Sequence, residues 1–265
     1  MTENIEKLSA LHILVTNDDG VHAPGLLALT NAVKPFGSVS VLAPDHNWSA
    51  SGHVKTLSRP LRVRETKLAD GTPALTSDGA PSDCVALGVL GILRKKIDLV
   101  VSGINTNSNL GHDLTYSGTV TAAMEAAISG IPAVAFSLAE PRDTSEEKDY
   151  TLSQIVIREV VKNILDHGLP RGILLNVNIP YIDVEQFKGY QITRQGLRVY
   201  HDNLVRRKDP EGRPYYWIGG DPPSGIVEKG TDIGALAENY VSITPIHLDL
   251  TAHHLISTLR SWEWG

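Results

Sequence analysis

Apolar positions follow two alternating rhythms over the first two-thirds of the chain. Short runs read as strands: His12–Thr16, Ser38–Ala43 with β-branched Val39 and Val41, Ile97–Ser102, Pro132–Leu138 and Ile173–Ile179. Helical spacing predicts elements between them. One is Gly25–Lys34, begun near Pro24 and stopped by Pro35 and Gly37; others are Pro81–Leu93 and the alanine-rich Ser117–Ser129, closed by Gly130. A long amphipathic helix is expected over Glu146–His167, its apolar stripe carried by Ile155, Val156, Ile157, Val160, Val161 and Ile164. The unbroken apolar Ile97 run is the kind that a sheet buries on both faces. Strand–helix units repeated in this way predict an α/β fold: a mostly parallel sheet with helices on both faces.

The last third changes character. Tyr190–Thr193 and Tyr215–Ile218 read as strands around the polar stretch Arg206–Arg213, Tyr240–Thr244 as a further strand, and His253–Trp262 as a short terminal helix. This predicts a core over residues 1–185 and a β-rich extension over 186–265, unless the two form one integrated domain. The extension reads as an appended subdomain or an arm that packs on another subunit. Pro141–Ser145 is a polar linker without the look of a domain boundary.

Composition narrows the classes. The 265 residues carry 24 basic and 30 acidic side chains, a net charge of -6, so there is no basic footprint for nucleic acid. No apolar run reaches membrane-spanning length, and Met1–Ala10 is polar and lacks the apolar core of a signal peptide, so a soluble cytoplasmic protein is expected. The single cysteine, Cys84, rules out an intrachain disulfide and sits in an apolar run as a small core residue.

The chemistry gathers in loops that follow strands, where open parallel sheets place their ligands. After the first strand stand Asn17-Asp18-Asp19-Gly20; after the second, Pro44 to His53 with Ser49; after the Ile97 strand, Ser102-Gly103-Ile104-Asn105 leading into Asn107 and Asn109. Tyr116-Ser117-Gly118-Thr119 then opens a helix. Taken alone, Asn17–Gly20 reads as a turn, Ser117 as a helix cap and the asparagines as a loop satisfying its own backbone. Together they supply adjacent carboxylates, hydroxyl and amide oxygens, and a helix start offering free N–H groups. The oxygens suit a hard divalent cation and the helix start suits an anion. Zinc is disfavoured, since there is no cysteine pair and no His-x-x-x-His. An EF-hand loop, a P-loop, Gly-x-Gly-x-x-Gly and Gly-x-Ser-x-Gly are all absent.

In order along nearly the whole chain, these segments resemble the stationary-phase survival protein SurE family of metal-dependent 5′-nucleotidases. The matching stretches are Ile13–Gly20 with Ala23-Pro24-Gly25, Ala43–Asp45 through Ser49-Ala50 and Gly52, and Ser102–Asn105. They continue with Asn109–Gly111, Tyr116–Glu125, Asn176–Pro180, Thr231-Asp232 and Val241–Pro245. The resemblance implies a Rossmann-like, doubly wound core with a β-rich C-terminal extension that takes part in dimer or tetramer assembly. It implies hydrolysis of nucleoside 5′-monophosphates, and by the same chemistry 3′-monophosphates, to nucleoside and phosphate. Residue by residue, Asp18, Asp19, Ser49 and Asn105 would hold one divalent metal, magnesium or manganese, with calcium able to stand in within a crystal. Asn17, Ser117, Gly118 and Thr119 would bind the phosphate. Asp18 or Asp19 would act as ligand and base; a covalent aspartyl-phosphate stays open. The chain departs from the family pattern at Asn107 and Ala126, both usually glycine, which bears on substrate preference. A broader phosphatase of small phosphate esters or polyphosphate, and a non-catalytic nucleotide-binding module, are the alternatives. His22, His46, His53 and His112 read as hydrogen-bonding loop residues, Trp48 as a base-stacking or packing side chain, and Arg206-Arg207-Lys208 as a solvated face.

Overall fold

Alternation along β1 (His12–Thr16) decides how the layers form. Successive side chains of a strand point to opposite faces, so Ile13 and Val15 enter one core and Leu14 the other. The computed structural model of the chain describes residues 11–139 and 148–264. On the Ile13 side pack α1 (Pro24–Val33) and α4 (Thr151–His167), with Leu26, Leu29, Val156, Ile157 and Val161 fully buried. On the Leu14 side pack α2 (Pro81–Leu87) and α3 (Gly118–Ile128), which contribute Cys84, Val85, Val120, Ala122 and Ala123. The alanines of α3 permit close approach to α2 and to the sheet. The expectation of helices on both faces of a parallel sheet therefore holds.

The remaining strands are β2 (Ser38–Pro44), β3 (Val63–Lys67), β4 (Pro73–Ser77), β5 (Leu99–Asn105), β6 (Ala133–Ala139), β7 (Ile173–Pro180), β8 (Tyr190–Ile192), β9 (Arg198–Lys208), β10 (Pro214–Gly225) and β11 (Val241–His247). Eight of them join β1 in one nine-stranded sheet, in the order β3-β4-β2-β1-β5-β6-β7-β11-β8. The run β4-β2-β1-β5-β6-β7 is parallel throughout; β3 and β11 pair antiparallel with their neighbours, and β8 runs parallel to β11. The chain steps from β1 to β2 on one side and later returns to place β5 on the other. The crevice between the carboxyl ends of β1 and β5 is thus the topological switch point.

Several elements differ from their sequence expectation. The β3–β4 hairpin was not expected: β3 lies at an exposed edge and shows no apolar alternation. The helix expected to Leu93 ends at Leu87, where the chain opens into a wider turn through residue 92 that Gly91, at φ +124°, allows. The described part of the long helix begins at Thr151; residues 146 and 147, like Pro141–Ser145 and Met1–Ala10, lie outside the described residues. The extension is divided in its packing. β8 and β11 continue the main sheet, while β9 and β10 form a separate two-stranded ribbon whose first strand runs through Arg206–Lys208. A short helix, α5 (Asp232–Ala237), was also not expected, and the terminal helix is α6 (His253–Arg260). Among the described residues no helix is long and apolar enough to cross a membrane.

Candidate functional site

The chain leaves β1 into a buried polar turn. Asn17 is fully buried; its amide nitrogen donates to the Gly20 carbonyl at 3.0 Å, and its amide oxygen has no hydrogen-bond partner. Gly20 takes φ +101°, which a side chain would resist. The Trp48 N–H donates to the Asp18 carbonyl at 2.8 Å and the Val21 N–H to the Pro44 carbonyl at 2.8 Å, so the loops after β1 and β2 are laced together.

Asp18 is 3% exposed and sits against the start of α3. The Thr119 hydroxyl donates to its Oδ1, and the backbone N–H groups of Gly118 and Thr119 also face the carboxylate. Burial pushes its pKa above the ordinary carboxylate value, and these donors pull the other way without cancelling the rise. Gly118 is demanded by space: a Cβ there would lie 2.7 Å from Asp18 Cβ and 3.1 Å from Pro81 Cγ. Asp19 is half-buried. Burial first, then the charge of Asp18, push its pKa up to about 6, against the opposing pull of Lys148.

The other expected residues join this pair to different degrees. Asn47 bridges two of them: its Nδ2 donates to Asp19 Oδ1 at 3.3 Å, and its Oδ1 accepts the Ser49 N–H at 2.7 Å. Ser49 itself is exposed. Asn105 ends β5, the strand beside β1, three residues beyond the Thr16–Ser102 pair. Its amide nitrogen donates to the Asn107 carbonyl at 2.6 Å, so the amide oxygen is the atom that remains for a further partner. A register irregularity between Ser102 and Asn105 re-aims this strand end. It passes through Gly103, where a Cβ would stand 2.3 Å from the Phe136 carbonyl oxygen. Ser117 caps α3, its Oγ accepting the Val120 N–H at 3.2 Å, which leaves the hydroxyl proton to donate elsewhere. The helix start that the sequence assigns to an anion thus faces Asp18 directly.

Residues outside the sequence-derived set hold these loops. Asn109 donates from Nδ2 to Ser137 Oγ at 2.7 Å and from its backbone to Asn178 Oδ1 at 2.7 Å, while Asn176 and Asn178 donate to its carbonyl. Asp232 accepts the N–H groups of Gly111 and Gly196 at 2.8 and 2.7 Å, joining this loop to the C-terminal segment. Glu125 is buried, and its carboxylate receives His53 and Lys55, each at 3.1 Å. With Asp83, which accepts from the Thr56 N–H at 2.9 Å and from its hydroxyl at 2.6 Å, it pins the loop that follows Ser49. Of the tempting histidines, His53 is therefore a structural partner of Glu125. His46 lies against Trp48 with ring centroids 5.1 Å apart. A lone charged residue in the alanine-rich run Ala122–Ala127 was the available signal for Glu125; Asn109 showed only as part of a polar loop, without a sign of its partners. From Asp19 a cleft of about 600 Å³ runs along α1 to the start of α4, with Lys148 and Tyr150 among its lining residues.

Chemically, the convergent donors are hard oxygens. Among the described residues no group of three or more His, Cys, Asp or Glu is placed to hold a metal, so a cation here would draw neutral hydroxyl or amide oxygens besides the two carboxylates. Adjacent half-desolvated carboxylates and a buried amide oxygen without a donor are what a hard cation relieves. A doubly wound, mostly parallel α/β sheet with an oxygen-rich pocket at its switch point defines the class: Rossmann-like α/β proteins that bind ligands at the carboxyl ends of their strands.

Within that class the family is specific. The family described as "Survival protein SurE" matches residues 13–202, and the chain belongs to it. It is 52% identical over 254 residues to the 5′-nucleotidase SurE of Chloroflexus aggregans, covering 96% of this chain and 100% of that protein. It is 48% identical over 255 residues to the 5′-nucleotidase SurE of Herpetosiphon aurantiacus, covering 96% and 99%. The crystal structure of the SurE protein from Aquifex aeolicus superposes with a TM-score of 0.78 at 42% identity, covering 94% of this chain and 98% of that one.

Proposed function

We propose that this chain hydrolyses nucleoside 5′-monophosphates to nucleoside and phosphate, in a reaction that depends on one divalent metal ion. The observation that carries the reading is the seating of Asp18 against Thr119 and the start of α3, with Asp19 beside it, at the switch point of the sheet. The name 5′-nucleotidase carried by relatives of matching length supports it.

Asp18, Asp19, Ser49 and Asn105 would hold the metal, magnesium or manganese by the hardness of the donors. A bound divalent cation supplies Lewis-acid polarisation of a phosphoryl oxygen and a more acidic coordinated water. The chain does the rest by position. Thr119 and the α3 N–H groups hold the Asp18 carboxylate in one orientation and oppose part of the pKa rise that its burial causes. Asn47 ties Asp19 to the Ser49 loop. The free proton of the Ser117 hydroxyl is the donor placed to meet a phosphate oxygen, while Gly118 and Thr119 direct their donors at Asp18 and Asn17 keeps only its amide oxygen open. Of the pair, Asp19 is the less buried and the more open to an attacking water whose proton it would take. Catalysis of this kind rests on positioning and electrostatics.

The reading takes the chain as a homodimer or homotetramer, with the β9–β10 ribbon as the face that meets a second copy. Phosphate release from a panel of nucleoside monophosphates across magnesium, manganese and calcium, with a chelator control, tests the activity. Turnover that survives complete chelation would refute the metal-dependent form, and activity confined to other phosphate esters would favour the broader phosphatase.

A further inference from the structure

The cleft that opens from Asp19 has a built character of its own. It is about 600 Å³, within the range of small-molecule sites. One wall is α1, which presents Pro24, Leu27 and Asn31 to it; the other is the start of α4, which presents Tyr150 and Gln154. These walls are rigid. Gly25 brings α1 so close to β5 that a Cβ there would lie 2.3 Å from the Ile104 carbonyl oxygen. Across the cleft, Gln154 Nε2 donates to the Ala28 carbonyl at 3.4 Å, and Asp149 caps α4 through the Thr151 N–H at 2.8 Å. Leu27 and Tyr150 are both half-buried and packed on the core beneath, so their remaining exposed surface is held in place.

The lining joins Asp19 and Lys148, beside the pocket proposed for the phosphate and metal, to the aliphatic and aromatic surfaces of Pro24, Leu27 and Tyr150 and the side-chain amides of Asn31 and Gln154. A flat heterocycle with polar edges is matched by this lining: an apolar and aromatic surface for its faces, and for its edges the amide of Asn31, whose Oδ1 already accepts from Lys34 Nζ at 2.7 Å, and the Oε1 of Gln154. We propose that this cleft is the nucleoside subsite, in which the base of a nucleoside monophosphate lies between Leu27 and Tyr150 and meets Asn31 or Gln154 with its edge. The proposal rests on the nucleotidase reading and deepens it. It makes Leu27, Asn31 and Gln154 specificity-determining residues, distinct from the groups that hold the phosphate.

The test compares wild type with Leu27→Trp, which fills the cleft, and Gln154→Ala, which removes a polar edge. Each is assayed on adenosine 5′-monophosphate and on glycerol phosphate, which carries no base. The ratio of kcat/KM for the nucleotide over the small ester is expected to fall by about tenfold or more in Leu27→Trp, largely through KM, and less in Gln154→Ala. Binding of the nucleotide is followed in parallel by saturation-transfer NMR, with circular dichroism as the check on folding. Loss of the base-proton transfer signal in Leu27→Trp supports the subsite whether or not turnover is seen. An unchanged ratio and an unchanged signal in folded Leu27→Trp overturn it. Failure of the nucleotidase reading looks different: wild type releases no phosphate from either ester, while the binding arm still decides where the base sits.

Discussion

Two regions of this molecule invert the usual placement of residues. At the ends of β1 and β5, Asn17, Asp18 and Asn105 are buried although polar. In the β9–β10 ribbon, Leu204, Trp217 and Ile218 are 69%, 63% and 83% exposed although apolar. The first inversion is supported from within. Thr119, Gly118 and Asn47 supply donors to the carboxylates, and closely packed glycines hold the loops. The second has little local support. An isolated two-stranded ribbon is marginal in water, and a cluster of exposed apolar side chains marks a surface made to meet another. On the proposed reading the buried polarity meets a cation and an anion, and the exposed apolarity a second copy of the chain. The buried site is pre-organised for what it meets, whereas the ribbon presents its apolar residues without a core behind them.

The sharpest way to break this comparison is at the carboxylates. Asp18→Asn and Asp19→Asn should each lower phosphate release by roughly a thousandfold with the circular dichroism spectrum unchanged. Full activity in either variant would remove that residue from the site. Gly118→Ala comes next. The added methyl has to displace Asp18 or Pro81, so activity should fall by about a hundredfold, with stability lower by about 1–3 kcal/mol in urea denaturation. Wild-type values for both would show that α3 can shift to admit a side chain. Glu125→Ala tests the support behind the Ser49 loop. Because Lys55 and His53 can turn to water, the stability cost should be only about 1 kcal/mol, while the metal concentration giving half-maximal activity should rise several-fold. A stability loss with no change in metal activation would confine Glu125 to folding. The smallest effect on the single chain belongs to the ribbon. Trp217→Ser combined with Ile218→Ser should leave the unfolding free energy of a dilute sample, from urea denaturation, within about 0.5 kcal/mol of wild type but move its elution in size-exclusion chromatography to a smaller species. An unchanged assembly would take the ribbon out of the interface.

How much of this was legible along the chain follows from what each residue answers to. β1, β5 and β6 could be read from the apolar runs of central parallel strands, and β2 from its β-branched Val39 and Val41, because these patterns are local. β3 could not, since an exposed edge strand such as Val63–Lys67 buries little and carries no alternation. The end of α2 at Leu87 was hidden because Val89, Leu90 and Ile92 continue an apolar pattern after the backbone has left the helix. At the site, Asp18, Asp19, Ser49, Asn105 and Ser117–Thr119 stood out as unusual polarity following strands. Asn47, Glu125 and Asp232 did not, and Asn109 stood out without its role, because each acts on a partner far off in sequence: Asn109 on Asn178, Glu125 on His53, Asp232 on Gly111.

By itself, then, the sequence determined the layered α/β class, the succession of its core strands along the chain and the oxygen-rich, cysteine-poor chemistry of its loops. These properties follow from local periodicity and residue type, and neither needs a distant contact. Tertiary structure alone decided that the start of α3 faces Asp18, that Asn47 joins Asp19 to Ser49, that α1 and α4 enclose a cleft beside them, and that the extension divides between the main sheet and a free ribbon. Each of these is a meeting of segments tens of residues apart, set by sheet order and close packing, and no stretch of the chain carries that information alone.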